Sequence, residues 1–135
     1  MTSDIESKKQ VIGLKYYAFG EISDAEYDLL VKDGAAGLST FMSYFILTAI
    51  ASKDKQLAVQ IMKDYYGKML DIGATTFWED FDIAWAQNAS GIDELPVKGK
   101  NDIHGDFGAF CYKGYRHSLC HGWSSGVIKF IKENC

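Results

Sequence analysis

The chain is short of the features that mark several large classes of protein. It has one proline, Pro96. At 47% hydrophobic and 14% aromatic residues it is too apolar for a disordered chain. It has no basic patch: the net charge is −4 and the lysines are scattered, whereas binding nucleic acid requires clustered cations to neutralise phosphates. It has no long apolar run. The most apolar stretch, residues 41–51, is too short for a bilayer and includes Ser43 and Thr48, so no membrane span is expected. Residues 1–10 are polar (Thr2, Ser3, Asp4, Glu6, Lys8, Lys9) and lack the apolar centre of a signal peptide. Three cysteines, Cys111, Cys120 and Cys135, cannot all pair, which points to free thiols in a reducing compartment. Expressed alone, the chain reads as cytoplasmic.

What is present is the pattern of a single all-α domain over residues 1–135. A helix is expected over residues 7–19, with Val11, Leu14, Tyr17 and Ala18 at helical spacing and Gly13 weakening it. Ser23 and Glu26 have the spacing of a capping box, so a short helix should run over 25–32 and stop before Gly34. Ser39 or Thr40 can cap the next helix, to about Ser52. Its apolar residues go almost all the way round, the mark of burial on most sides. Asp54 can cap a fourth helix over 55–70, where Leu57, Ile61, Tyr65 and Met69 form one stripe and Gln56, Gln60, Lys63 and Asp64 the other face. An inner helix joined to an outer one is a helical hairpin, the unit of bundles and of toroidal α/α folds. From 88 to 117 helical patterning fails. A packed, functional loop is expected there, before a last helix beginning near Ser118.

The densest chemistry lies at residues 73–82. Glu79, Asp80 and Asp82 interleave with Phe77, Trp78 and Phe81, and Trp85 follows. Rings beside carboxylates suit a carbohydrate: the rings stack on sugar C–H faces while an acid handles protons. The structural alternative is a helix start with first-turn acids and core aromatics. Trp123, flanked by Gly122 and followed by Gly126, is either a core ring or a sugar platform. His104, Cys111, His117, Cys120 and His121 have no Cys-x-x-Cys pair and match no standard zinc spacing, so neither a metal nor another cofactor is expected.

Four stretches in the same order resemble the α-L-rhamnosidases, glycoside hydrolases of family 78 with a six-hairpin (α/α)6 catalytic barrel. They are Gly37-Leu38-Ser39-Thr40-Phe41-Met42-Ser43-Tyr44, Gly73-Ala74-Thr75-Thr76-Phe77-Trp78-Glu79, Asp102-Ile103-His104-Gly105-Asp106-Phe107-Gly108, and Arg116-His117-Ser118-Leu119-Cys120-His121-Gly122-Trp123-Ser124-Ser125-Gly126. The resemblance implies inverting hydrolysis of terminal α-L-rhamnosides, with Glu79 as general base. It places Trp78 and His121 at the sugar pocket, where Asp82 and Trp123 are further candidates for substrate binding. Cys120 stands where the family usually has asparagine, and Gly122-Trp123 replaces a Tyr-Ala type pair, which bears on sugar specificity.

The family's general acid lies upstream of anything matched here, and the chain has room for only about four or five helices. The expectation is therefore a C-terminal part of a (α/α)6 toroid, inactive alone, whose partners are a rhamnoside-type carbohydrate and the missing N-terminal part of the barrel. The parent's compartment stays open, export included. The buried helix over 41–51 would then lack some neighbours, and self-association through that surface is expected. The alternative is a non-catalytic helical module that binds carbohydrate or protein.

Overall fold

The computed structural model describes residues 2–104 and 118–135. These form five α-helices: α1 (Thr2–Phe19), α2 (Asp24–Val31), α3 (Ser43–Ala51), α4 (Lys55–Asp71) and α5 (Gly126–Asn134). Short 3-10 turns lie at Ile83–Ala86 and Gly122–Ser125. No strand occurs among the described residues, only an isolated bridge between Ala89 and Asn101. The all-α expectation holds. No described helix is long and apolar enough to cross a membrane.

Local chemistry accounts for the helix starts. Ser23 and Glu26 form the expected reciprocal capping box at α2. The Asp54 carboxylate accepts from the Leu57 amide at the head of α4, at 2.9 Å. The start of α3 differs from expectation. Ser39 Oγ accepts from the Met42 amide at 3.3 Å, which caps a turn before the helix, and α3 itself begins at Ser43 with no side-chain cap. Thr40 is diverted: its hydroxyl donates to the Glu79 carbonyl at 2.7 Å.

The centre of the fold is α3, which packs against α1, α2, α4 and α5. Tyr44, Ile46, Leu47, Ala49 and Ile50 are all buried. Its own chain supplies neighbours from four helices, and within residues 41–51 Phe41 stays 46% exposed while Phe45, Thr48 and Ala51 are partly buried. Two of the crossings are made close by glycine. A Cβ on Gly13 of α1 would lie 3.0 Å from Ile46 N and 3.1 Å from the Phe45 carbonyl carbon. A Cβ on Gly126 of α5 would lie 2.9 Å from Tyr44 Cβ. The glycine that weakens the sequence pattern of α1 is thus its point of contact with the core.

The same contact turns α1 over. Val11, Leu14, Tyr17 and Ala18, the apolar residues at helical spacing, face outward, with Val11 66% exposed. The inward face carries Lys9, Ile12, Gly13 and the partly buried Tyr16. Lys9 is buried because its ammonium has partners. It donates to the carbonyls of Lys32 (2.8 Å), Gly34 (3.0 Å) and Ala36 (2.7 Å). Those carbonyls belong to the turn after α2, where Asp33, Gly34 and Gly37 take positive φ. Burial pushes the Lys9 amine down to about 8, against the pull of Asp33, so at neutral pH all three of its donors remain in use.

The end of the chain also departs from expectation. Residues 118–121 are not helical and α5 starts only at Gly126, because this stretch bonds to residues 76–79 instead. Of the long loop, residues 88–104 are turns fastened by Asn88, Ser90 and Asn101. Residues 105–117, with Cys111, His117 and most of the third matching stretch, lie outside the described residues.

Opposite effects are expected of two glycine replacements. Gly13→Ala should destabilise by about 1–3 kcal/mol, because the new methyl meets backbone and its helix-propensity gain is smaller than the overpacking cost. Gly67→Ala in α4, where no atom lies within 4 Å of the added Cβ, should stabilise by about 0.5–1 kcal/mol. Urea denaturation of the two variants measures both, and a stabilised Gly13→Ala chain would contradict the close α1–α3 crossing.

Candidate active site

Residues 77–82 run as an irregular segment, bent at Glu79 and with no partner strand, so their backbone groups need other partners. The fold supplies them from several elements. The Phe77 carbonyl accepts from the His121 amide at 2.7 Å, and the Glu79 amide donates to the Ser118 carbonyl at 2.8 Å. Ser124 donates its hydroxyl to the Trp78 carbonyl, and Tyr65 of α4 donates to that of Phe81. Burial raises the Tyr65 phenol well above its usual range, so it stays a donor. The Glu79 carbonyl accepts twice, from Thr40 at 2.7 Å and from the Trp123 indole N–H at 2.8 Å. Thr76 adds a bond to the Leu119 carbonyl.

This lacing brings three of the sequence candidates together. Glu79 is half-buried, and its Oε2 accepts from the Ser118 amide at 2.8 Å. Its Oε1 has no hydrogen bond among the described residues. Trp123 is 51% exposed and lies with its ring centroid 4.3 Å from that of His121, the two planes at 46°. The exposed ring surface continues from Trp123 to Phe41 (5.7 Å). A carboxylate with one oxygen anchored and an aromatic pair beside its backbone are the parts that hold a sugar ring near a base.

The other two candidates sit elsewhere. Trp78, expected at the pocket wall, is fully buried and packs edge-on against Phe81 at 5.6 Å. It is a core ring and cannot wall an open pocket, which corrects the reading carried by the resemblance. Asp82, expected at the substrate, accepts from the Ala84 amide at 2.9 Å and so caps the 3-10 turn Ile83–Ala86. The helix-start alternative accounts for this acid.

One grouping is invisible in the sequence. Glu6, on the first turns of α1, has its carboxyl raised above the usual range, first by burial and then by the negative charges of Asp80 and Asp82. Gln10, one turn on, donates to Glu6 Oε1 at 2.8 Å and opposes that rise. Gly37 marks how the acid gets there: a Cβ at that glycine would come within 3.3 Å of the Glu6 amide, so α1 starts against the turn before α3. More than seventy residues separate Glu6 from the two aspartates in sequence, and no local signal joins them.

Of the metal candidates, Cys111 and His117 lie outside the described residues, and the others are dispersed. His104 Nδ1 is 2.9 Å from Asp102 Oδ1, Cys120 is exposed, and His121 pairs with Trp123. Among the described residues no group of three or more His, Cys, Asp or Glu is placed to hold an ion. No protein-family model matches the chain, nor does any curated protein or solved structure.

The charge crowding around Glu6 sets a pH dependence. A carboxyl raised in the folded chain binds its proton more tightly there than in the unfolded chain. The stability this contributes is full below the unfolded value and lost as pH rises through the folded one. Glu6→Gln keeps an acceptor for Gln10 and removes the charge. It should raise Tm by roughly 2–4 °C at pH 7 and by much less at pH 4. Thermal scans at the two pH values check this, and an equal or negative change at pH 7 would contradict it.

Proposed function

We propose that the chain supplies the general-base half of an inverting glycoside hydrolase site for terminal α-L-rhamnosides. Its five helices would be the C-terminal hairpins of a partial (α/α)6 toroid. The observation that carries this reading is Glu79: a half-buried carboxylate with Oε2 anchored on the Ser118 amide, beside the exposed ring pair of Trp123 and His121. Three of the four stretches meet here: residues 73–79 carry Glu79, residues 37–44 contribute Thr40 and Phe41, and the described residues 118–126 contribute Ser118, His121 and Trp123.

In such a reaction water attacks the anomeric carbon from the face opposite the leaving group. Glu79 Oε1 takes the proton of that water as its oxygen bonds to carbon. The glycosidic C–O bond breaks, and the departing oxygen takes a proton from a general acid about 6.5–9.5 Å away across the sugar. That acid belongs to the upstream part of the parent barrel. Trp123 and His121 offer faces for the sugar's C–H surface, and the ring nitrogens of His121 can bond a hydroxyl.

The second reading, a helical module that binds carbohydrate without chemistry, draws support from the hydrogen bonds of Glu79. Its carboxylate and backbone bond to Ser118, Thr40 and Trp123, all structural services that no reaction requires.

The two readings are separated by adding substrate. L-rhamnose at millimolar concentration should shift the Trp123 indole N–H and His121 ring resonances saturably. The isolated chain should not release nitrophenol from an aryl α-L-rhamnoside. A covalent extension with the parent's upstream hairpins should restore hydrolysis, and Glu79→Gln should then abolish it by at least about a thousandfold. Saturable shifts with no hydrolysis in the extended chain would favour the binding module. Absence of any shift would overturn the sugar site.

A further inference from the structure

Beside α4 and α5 lie two clefts whose linings share Lys63, and together they are treated as one groove with two halves. One half is a cleft of about 450 Å³ lined chiefly by apolar side chains, among them Met62, Met69, Leu70, Phe77, Ile128 and Ile131. The other is a cleft of about 420 Å³ lined by Lys55, Gln56, Val59, Gln60 and Asn134. Lys63 lines both. Each half has the volume of a small-molecule site.

The two halves differ in chemistry along one line. The first offers aliphatic, thioether and aromatic surface, with Leu70 68% exposed and Ile128 46% exposed. The second offers two ammonium groups and side-chain amides. No carboxylate lines either half, although the chain as a whole is acidic with a net charge of −4. Lys55 and Lys63, like Lys32, Lys98 and Lys132, form no ion pair among the described residues. An apolar cleft with the unpaired Lys63 in its lining, and Lys55 in the cleft that shares it, complements a molecule with an apolar tail and an anionic head.

We propose that this groove binds a medium-chain fatty acid. Its acyl chain lies between α4 and α5 over Met69, Leu70 and Phe77, and its carboxylate lies between Lys63 and Lys55. A cationic or neutral head would leave the lysines uncompensated. A second copy of the chain would have to bring its own acidic residues to them. The proposal is independent of the glycosidase reading, since neither Glu79 nor Trp123 lines the groove.

Calorimetric titration of the full chain with octanoate, decanoate and dodecanoate, below their micelle concentrations, tests the assignment. One dodecanoate should bind per chain, and affinity should rise about tenfold for each two methylenes added, the gain expected of burying them. Lys63→Glu should weaken dodecanoate at least tenfold, and Ile128→Asp should abolish binding. Both side chains are exposed, so unchanged circular dichroism is expected of the variants. Dodecyltrimethylammonium should bind at least tenfold more weakly than dodecanoate. No saturable binding, equal binding of the cationic amphiphile, or full affinity in Lys63→Glu would each overturn the proposal. So would a sedimenting dimer that Ile128→Asp dissociates, which would show a second copy in the groove.

Discussion

The structure depends on how an irregular segment with no partner strand gets its carbonyls satisfied. Residues 77–82 cross the core without a ladder, and an unpaired buried carbonyl costs about 1–3 kcal/mol. Each of the carbonyls of Phe77, Trp78, Glu79 and Phe81 is met by a donor from elsewhere in the chain: the amide of His121, the hydroxyl of Ser124, Thr40 with the indole of Trp123, and the phenol of Tyr65. These donors come from the turn before α3, from α4 and from the approach to α5. The segment is therefore a knot that ties three parts of the fold, and Glu79 sits in the middle of it.

That arrangement explains why structure and site are hard to separate here. The bonds that hold the backbone also fix where the Glu79 carboxylate stands and bring Trp123 and His121 beside it. Thr40, diverted from capping α3, shows the trade: the helix loses a cap and the segment gains a donor. Burial of Trp78 and Phe81 anchors the same stretch from inside, while Glu79 between them is left partly accessible. A precise carboxylate position follows from support that is mostly backbone and core.

Local signals in the sequence were legible where local chemistry decides the outcome. The Ser23–Glu26 box and the Asp54 cap mark real helix starts, and the all-round apolar pattern of α3 matches its burial. Where distant contacts decide, the pattern misleads. Val11, Leu14 and Tyr17 look like a core stripe, yet Gly13 crosses α3 and Lys9 finds three carbonyls, so the opposite face goes in. Residues 118–121 are taken from the last helix by bonds to residues about forty positions earlier. Glu79, His121 and Trp123 were legible as candidates and do come together. Trp78, placed at the pocket by the resemblance, is a core ring here, and Asp82 is a turn cap, because neither a motif match nor local composition tells a pocket ring from a core ring or a substrate acid from a cap.

The central claim is that residues 77–79 and 118–124 are laced into one unit that presents Glu79. Native-state hydrogen exchange reads this at single amides. If the account is right, the Glu79 and His121 amides, bonded to Ser118 and Phe77, exchange as slowly as those of Ile46 and Leu47 in the core of α3. Exchange of these two amides at the rate of an open loop, with α3 still protected, would contradict it.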